Sequence, residues 1–203
     1  MPFKKLKPLL KDILEHQNIT EATSFQKKVI PQIKSGANVY AVAPKGSGKT
    51  TSLIITTLQK IKHYEELDNP RVVIFVKDKA AALDLESKFE PYIEHFNLTS
   101  YSVYDEQLEQ YQKDIIYEGV DIIIGTAKRI NKLYLMNGIN LNDMMTVIVD
   151  DANELPRIDF AKDIVRISDS FPKCQFIVFS TDYDEKLKSL KESFMFKSVL
   201  IQE

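Results

Sequence analysis

Apolar and polar residues along the chain fall into a repeating arrangement, a short apolar run followed by a stretch with helical spacing. The runs are NVYAV (38–42), RVVIFV (71–76), TSYSVY (99–104), VDIII (120–124), TVIVD (146–150), QFIVF (175–179) and FKSVLI (196–201). Several are apolar at successive rather than alternate positions, which predicts strands covered on both faces. Helical spacing occupies 49–63, 78–95, 106–117, 126–135, 157–170 and 184–193, and two more helical stretches, 5–17 and 24–34, precede the first strand. Pro31 argues against a straight second helix, because proline lacks an N–H and crowds the preceding turn. The alternation predicts an α/β fold, a mostly parallel sheet of about seven strands with helices on both faces. In such sheets ligands sit beyond the carboxyl ends of the strands. The residues just after each strand are therefore where chemistry is sought.

A length of 203 residues, 44% of them hydrophobic, predicts one globular domain, with helices over 1–36 and the sheet core over 37–203. The net charge of −2 argues against broad, non-specific nucleic-acid binding and leaves a local basic patch open. Cys174 is the single cysteine, so neither an internal disulfide nor a cysteine-rich metal site is available, and the apolar run after it predicts a packing role. His16, His63 and His95 lie far apart without ligand spacing. No apolar run approaches the length of a membrane span, and lysines interrupt the N-terminal MPFKKLKPLL. A reducing cytoplasm is the expected location.

Candidate chemistry begins after the first strand. The sequence APKGSGKT (43–50) has the pattern of a phosphate-binding loop with alanine in its first position. Gly46 and Gly48 allow the tight turn that aims successive N–H groups at an anion, Ser47 helps to hold the phosphates, and Lys45 inside the loop adds positive charge near the nucleotide. Lys49 reaches the β- and γ-phosphates, the Thr50 hydroxyl ligates Mg²⁺, and the following helix sets its positive end beneath the phosphates. Such a loop needs an acidic partner at the end of another strand. TVIVDD supplies Asp150 and Asp151, although Asp151 is also suited to capping the next helix.

With these motifs placed, the chain resembles the first RecA-like domain of DEAD-box RNA helicases over nearly its whole length. NITEATSFQ (18–26) has the shape of the family's Q-motif, with Thr23 and Gln26 at the adenine-reading positions and Phe3 as the upstream aromatic. GTAKR (125–129) is similar to the family's TPGR motif and keeps Thr126 and Arg129. VKDKAA (76–81) occupies the place of PTREL, with Lys79 standing for the arginine. VDDAN (149–153) lies at the DEAD box, and FSTD (179–182) lies at Ser-Ala-Thr, with Ser180 matching. The resemblance implies ATP and Mg²⁺ as cofactors and RNA contact through Lys79, Thr126 and Arg129. It further implies Asp150 on the metal, Lys49 and Asp151 in catalysis, and Ser180 in coupling the two sites.

The departures shape the expected activity. Asp151 replaces the family's glutamate and is one methylene, about 1.5 Å, shorter. A base that loses its reach costs on the order of a hundredfold in rate. Asn153 cannot carry the charge of the family's last aspartate, and Asp182 sets an acid where a hydroxyl is usual. No second helicase domain follows within the sequence, so unwinding by this chain alone is not expected. Weak Mg-dependent ATP hydrolysis coupled to RNA contact is the leading reading. A non-catalytic module that binds ATP, RNA or a protein partner is the first alternative, and another P-loop class, such as a small-molecule kinase, is the second. Recovered hydrolysis in Asp151→Glu separates the first two. A nucleotide preference other than adenine would favour the third.

Overall fold

The computed structural model describes residues 2–61, 69–156, 163–171 and 173–203, and of Pro2 and Lys4 the backbone alone. A 3₁₀ turn, Pro2–Lys5, leads into α1 (Pro8–His16) and α2 (Ser24–Lys34). There follow β1 (Val39–Val42), α3 (Lys49–Lys60), β2 (Val72–Val76), α4 (Lys79–Ile93), β3 (Ser100–Val103) and α5 (Glu109–Tyr117). The remainder comprises β4 (Ile122–Thr126), α6 (Ala127–Leu135), β5 (Thr146–Val149), α7 (Val165–Ser168), β6 (Gln175–Ser180), α8 (Glu185–Ser189) and β7 (Val199–Gln202).

Among the described residues seven strands form one sheet in the order β3-β4-β2-β5-β6-β1-β7, and every pairing is parallel. Alternate strand residues feed two separate cores. Val39, Ala41, Val72, Ile74 and Ile148 pack with α1–α4 on one face, whereas Tyr40, Val42, Val73, Val147 and Val149 pack with α5–α8 on the other. Two covered faces require apolar residues at both parities, which is why β1 and β2 read as unbroken apolar runs.

Three elements bear on what the prolines and the chain ends do. The expected 5–17 helix is shortened to α1 and preceded by a separate 3₁₀ turn, with Pro8 at the first helical position, where its missing N–H costs nothing. α2 runs through Pro31 without interruption, because Phe25, Val29, Ile30 and Ile33 are buried along it and tertiary packing outweighs one lost backbone bond. β7 begins at Val199 rather than 196, since Lys197 has a φ of 51° and cannot continue an extended chain. The expected extension of α3 to 63, His63 with it, and the 157–162 part of the expected 157–170 helix lie outside the described residues.

Pairing continues past the strand ends on the carboxyl edge. Ala43 N donates to the Ser180 carbonyl at 3.0 Å, Asp150 N to Phe75 at 2.9 Å, and Ala152 N to Phe179 at 2.9 Å. The starts of the loops after β1 and β5 are thereby anchored to the ends of β2 and β6. β6 alone separates β1 from β5, so the loop after β1 and the acidic end of β5 stand about 10 Å apart, two strand spacings.

Candidate functional site

The loop between β1 and α3 turns on two glycines in the left-handed region, Gly46 at φ 85° and Gly48 at φ 93°. A Cβ at Gly46 would meet nothing within 4 Å, so the space beside the loop is open there. Ser47 Oγ is buried with no hydrogen-bond partner among the described residues. An orphaned hydroxyl beside the free N–H groups of a helix start is the donor set an anion completes. Lys49, the first residue of α3, lies across the loop and donates to the carbonyls of Ala43 at 2.8 Å and Pro44 at 3.1 Å. Burial lowers its pKa, and the nearby carboxylates of Asp151 and Asp150 oppose that shift.

α2 approaches this loop by its N-terminus. Thr23 caps the helix in a reciprocal arrangement with Gln26: its side chain accepts from Gln26 N, and Gln26 Oε1 accepts from Thr23 N at 3.0 Å. The same two side chains grip the loop. Thr23 Oγ1 donates to the Ser47 carbonyl at 2.7 Å, and Gln26 Nε2 donates to the Gly48 carbonyl at 3.3 Å. Gln26 keeps one further N–H and one further lone pair for another ligand. Phe3 is half-buried against the core that α2 helps to build.

Across β6 lies the acidic end of β5. Burial and the neighbouring Asp151 push the Asp150 carboxyl up to about 7, against the pull of Lys49. A divalent cation reverses that balance by favouring the ionised form. Asp151 has a φ of 42°, a left-handed conformation that aspartate tolerates better than most residues, and its carbonyl accepts from Glu154 N at 2.8 Å. This tight turn projects Glu154 back over the site, where its carboxylate pairs with Lys45 at 3.2 Å and Lys77 at 2.5 Å. Asn153 replaces charge with geometry: its Oδ1 accepts from Thr181 N at 3.0 Å and lies 3.1 Å from Ser180 Oγ. The loop after β5 is thus joined to the end of β6 by a neutral amide. Lys186 donates to the carbonyls of Ala152, Asn153 and Leu155, holding the loop from the α8 side. The Asp182 carboxylate accepts from the Thr181 hydroxyl at 2.9 Å.

The residues expected on RNA take different positions. Lys79 is half-exposed at the start of α4, over the Tyr104 ring at 4.6 Å and 3.8 Å from Glu106. Thr126 caps α6, its hydroxyl accepting from Arg129 N at 3.3 Å. Arg129 itself is only 1% exposed. Its guanidinium donates to Gln112 Oε1 at 2.6 Å, to Glu109 Oε1 at 2.8 Å and to the Gln107 carbonyl. The side chain expected on RNA is thus held inside the fold, with three of its guanidinium donors engaged there. Sequence reading missed Glu154, Lys77 and Lys186. Position was the signal for Lys77, which follows directly on the end of β2, whereas Glu154 lies further along the loop after β5.

Comparison with known proteins places this arrangement in a family. The model of the DEAD/DEAH box helicase family matches residues 23–190. The probable ATP-dependent RNA helicase ddx27 of Dictyostelium discoideum is 28% identical over 97% of this chain and 25% of its own length. The DEAD-box ATP-dependent RNA helicase CshB of Bacillus cereus is 28% identical over 93% of this chain and 44% of its own. Among solved structures, a DEAD box protein from the hyperthermophile Methanococcus jannaschii superposes with a TM-score of 0.89 at 22% identity, over 98% of this chain and 54% of that one. The chain thus spans about half or less of the proteins it matches. The family model covers more than half of the chain, and the parallel α/β sheet is the fold of that solved structure: the chain belongs to the DEAD/DEAH box helicase family.

Proposed function

We propose that this domain binds Mg-ATP at residues 43–50 and hydrolyses it slowly, with RNA contacted weakly along the carboxyl edge of β2 and β4. One observation carries the reading: the glycine loop that opens α3 is gripped by Thr23 and Gln26 on one side and faced by Asp150 on the other. Phosphate, base and metal contacts are thereby available at a single strand edge. Gly46, Ser47, Gly48 and Lys49 would hold the phosphates, with the orphaned Ser47 hydroxyl completing its hydrogen bonding there. Gln26 has the spare donor and acceptor to read adenine beside Thr23 and Phe3. Thr50 and Asp150 would ligate Mg²⁺, which supplies the charge neutralisation that phosphoryl transfer needs. Asp151 would orient water, with the rate limited by its short side chain. RNA contact rests on Lys79 and the backbone around Thr126, in keeping with relatives named as RNA helicases.

A fluorescent ATP analogue titrated with Mg²⁺ into wild type and Lys49→Ala tests the reading. Saturable binding that unlabelled ATP displaces and Lys49→Ala abolishes is expected. Equal behaviour of wild type and mutant would remove the nucleotide site.

The second reading, a non-catalytic module that engages a protein partner or a second RecA-like domain, is favoured by the engaged state of Arg129 and by the carboxylates already paired with Lys77 and Lys79. Nucleotide binding with no turnover in either wild type or Asp151→Glu would select it.

A further inference from the structure

Lys45 and Glu154 form a pair whose placement bears on which nucleotide the loop prefers. The loop has two distinguishable sides. Ser47 and Gly48 are held by Thr23 and Gln26, which marks that side as the one facing the base. Lys45 faces the opposite way, toward the loop after β5, where its ammonium lies 3.2 Å from Glu154. Asp150, Asp151, Glu154 and Lys45 all act electrostatically on Lys49, so these charges share one neighbourhood around the ammonium that reaches the outer phosphates. Lys45 therefore stands at the terminal-phosphate end.

Its side chain is 79% exposed, and exposed ion pairs of this kind are weak. A lysine stem is flexible enough to carry its ammonium from a carboxylate to a nearby phosphate by rotamer changes alone. Glu154 is not stranded by that move, because Lys77 stays on its other oxygen at 2.5 Å. The exchange thus leaves no carboxylate unpaired and adds a charge-assisted contact to the phosphate.

Resting on the nucleotide site proposed above, we propose that Lys45 is a terminal-phosphate ligand held in reserve by Glu154, so that this pair sets the preference for a nucleoside triphosphate over a diphosphate. A diphosphate offers nothing at that end, and Lys45 remains on Glu154. A triphosphate competes with Glu154 for it. The Glu154 carboxylate accordingly acts as a brake on triphosphate binding, and Lys45 as the group that the brake restrains.

The test is a double-mutant cycle read by affinity for ADP and for a non-hydrolysable β,γ-imido analogue of ATP, both with Mg²⁺. Lys45→Met keeps the stem and removes the charge. It should weaken the analogue by about 3- to 10-fold, the value of one exchanged charge-assisted contact, and leave ADP within about twofold. Glu154→Gln should tighten the analogue by about 2- to 5-fold and lose that effect when Lys45→Met is also present. Equal weakening of both nucleotides by Lys45→Met, or no weakening of either, overturns the proposal. So does a Glu154→Gln effect that persists without Lys45, since it would reflect general removal of negative charge. Failure of the underlying site looks different: wild type would bind neither nucleotide, or Lys49→Ala would bind as wild type does. Binding that depends on Lys49 and ignores Lys45 removes this inference alone.

Discussion

Gly48 carries two requirements at once. Its φ of 93° lies where an L side chain is strained, and a Cβ built on it would fall 2.5 Å from Gln26 Nε2. The glycine thus permits the turn and also the close approach of α2 that lets Gln26 bond the loop. Gly48→Ala should lose stability by roughly 1–2 kcal/mol from the left-handed backbone alone. It should also displace Gln26, so nucleotide affinity should fall further than stability does. Gly36 has a similar φ of 88° with open space around it, and Gly36→Ala serves as the control for backbone strain without the Gln26 clash. Thermal melting and analogue titration of the two variants separate the effects. A Gly48→Ala protein that melts like Gly36→Ala and binds like wild type would show that the Gln26 contact contributes nothing.

Elements explain why some of the site was legible in the sequence and some was not. The central strands could be read because two covered faces favour apolar residues at successive positions, and the loop after β1 because its glycines, lysine and threonine serve a local geometry. Thr23 and Gln26 were legible for the same reason, three residues apart at a helix start. Arg129 was not. It follows a strand end and is basic, as an RNA-contacting residue would be, but its partners come from the β3–α5 connection and α5, at Gln107, Glu109 and Gln112. Only the packing of α5 against α6 decides that the guanidinium turns inward. Arg129→Ala should therefore destabilise the fold by roughly 2–4 kcal/mol, through lost charge-assisted bonds and the space left behind. For a chain of this size that is about 4–16 °C in melting temperature. A residue serving RNA alone would melt as wild type. Glu109 supplies a pH signature for the same cluster. Hydrogen bonds from Lys132 and Arg129 hold its carboxyl at about 2, below the usual carboxylate range. A depressed folded pKa means stability that is present above about pH 4.5 and lost as the pH falls toward 2. The melting difference between wild type and Glu109→Gln should be largest near neutrality and shrink across that window. A difference independent of pH would rule out the ionised carboxylate as its source.

At the scale of the molecule, the distribution of charge matters more than its total. The net charge is −2, yet the carboxyl edge carries Lys77, Lys79, Lys128, Arg129 and Lys132, each within 4.0 Å of a carboxylate. Asp105, Glu106 and Glu109 come from the β3–α5 connection and the start of α5, and Glu154 from the loop after β5. A phosphate that recruits one of these lysines must displace a carboxylate, and the freed carboxylate gathers cations from solution. Counterions released by RNA are thus partly taken up again by the protein. With about three phosphate contacts a single strand would ordinarily show a salt slope near −2, and here a shallower dependence, about −1, is expected. Replacing Asp105 and Glu106, each with a side chain more than half exposed, by Asn and Gln removes two competitors beside Lys128 and Lys79. The double variant should bind labelled single-stranded RNA about 3- to 10-fold more tightly at low salt, with a slope moved toward −2. Because both substitutions lie on the surface, melting should stay as in wild type. Tighter binding without a steeper slope would mean the acids act by shape rather than charge, and unchanged binding would move RNA contact away from this edge.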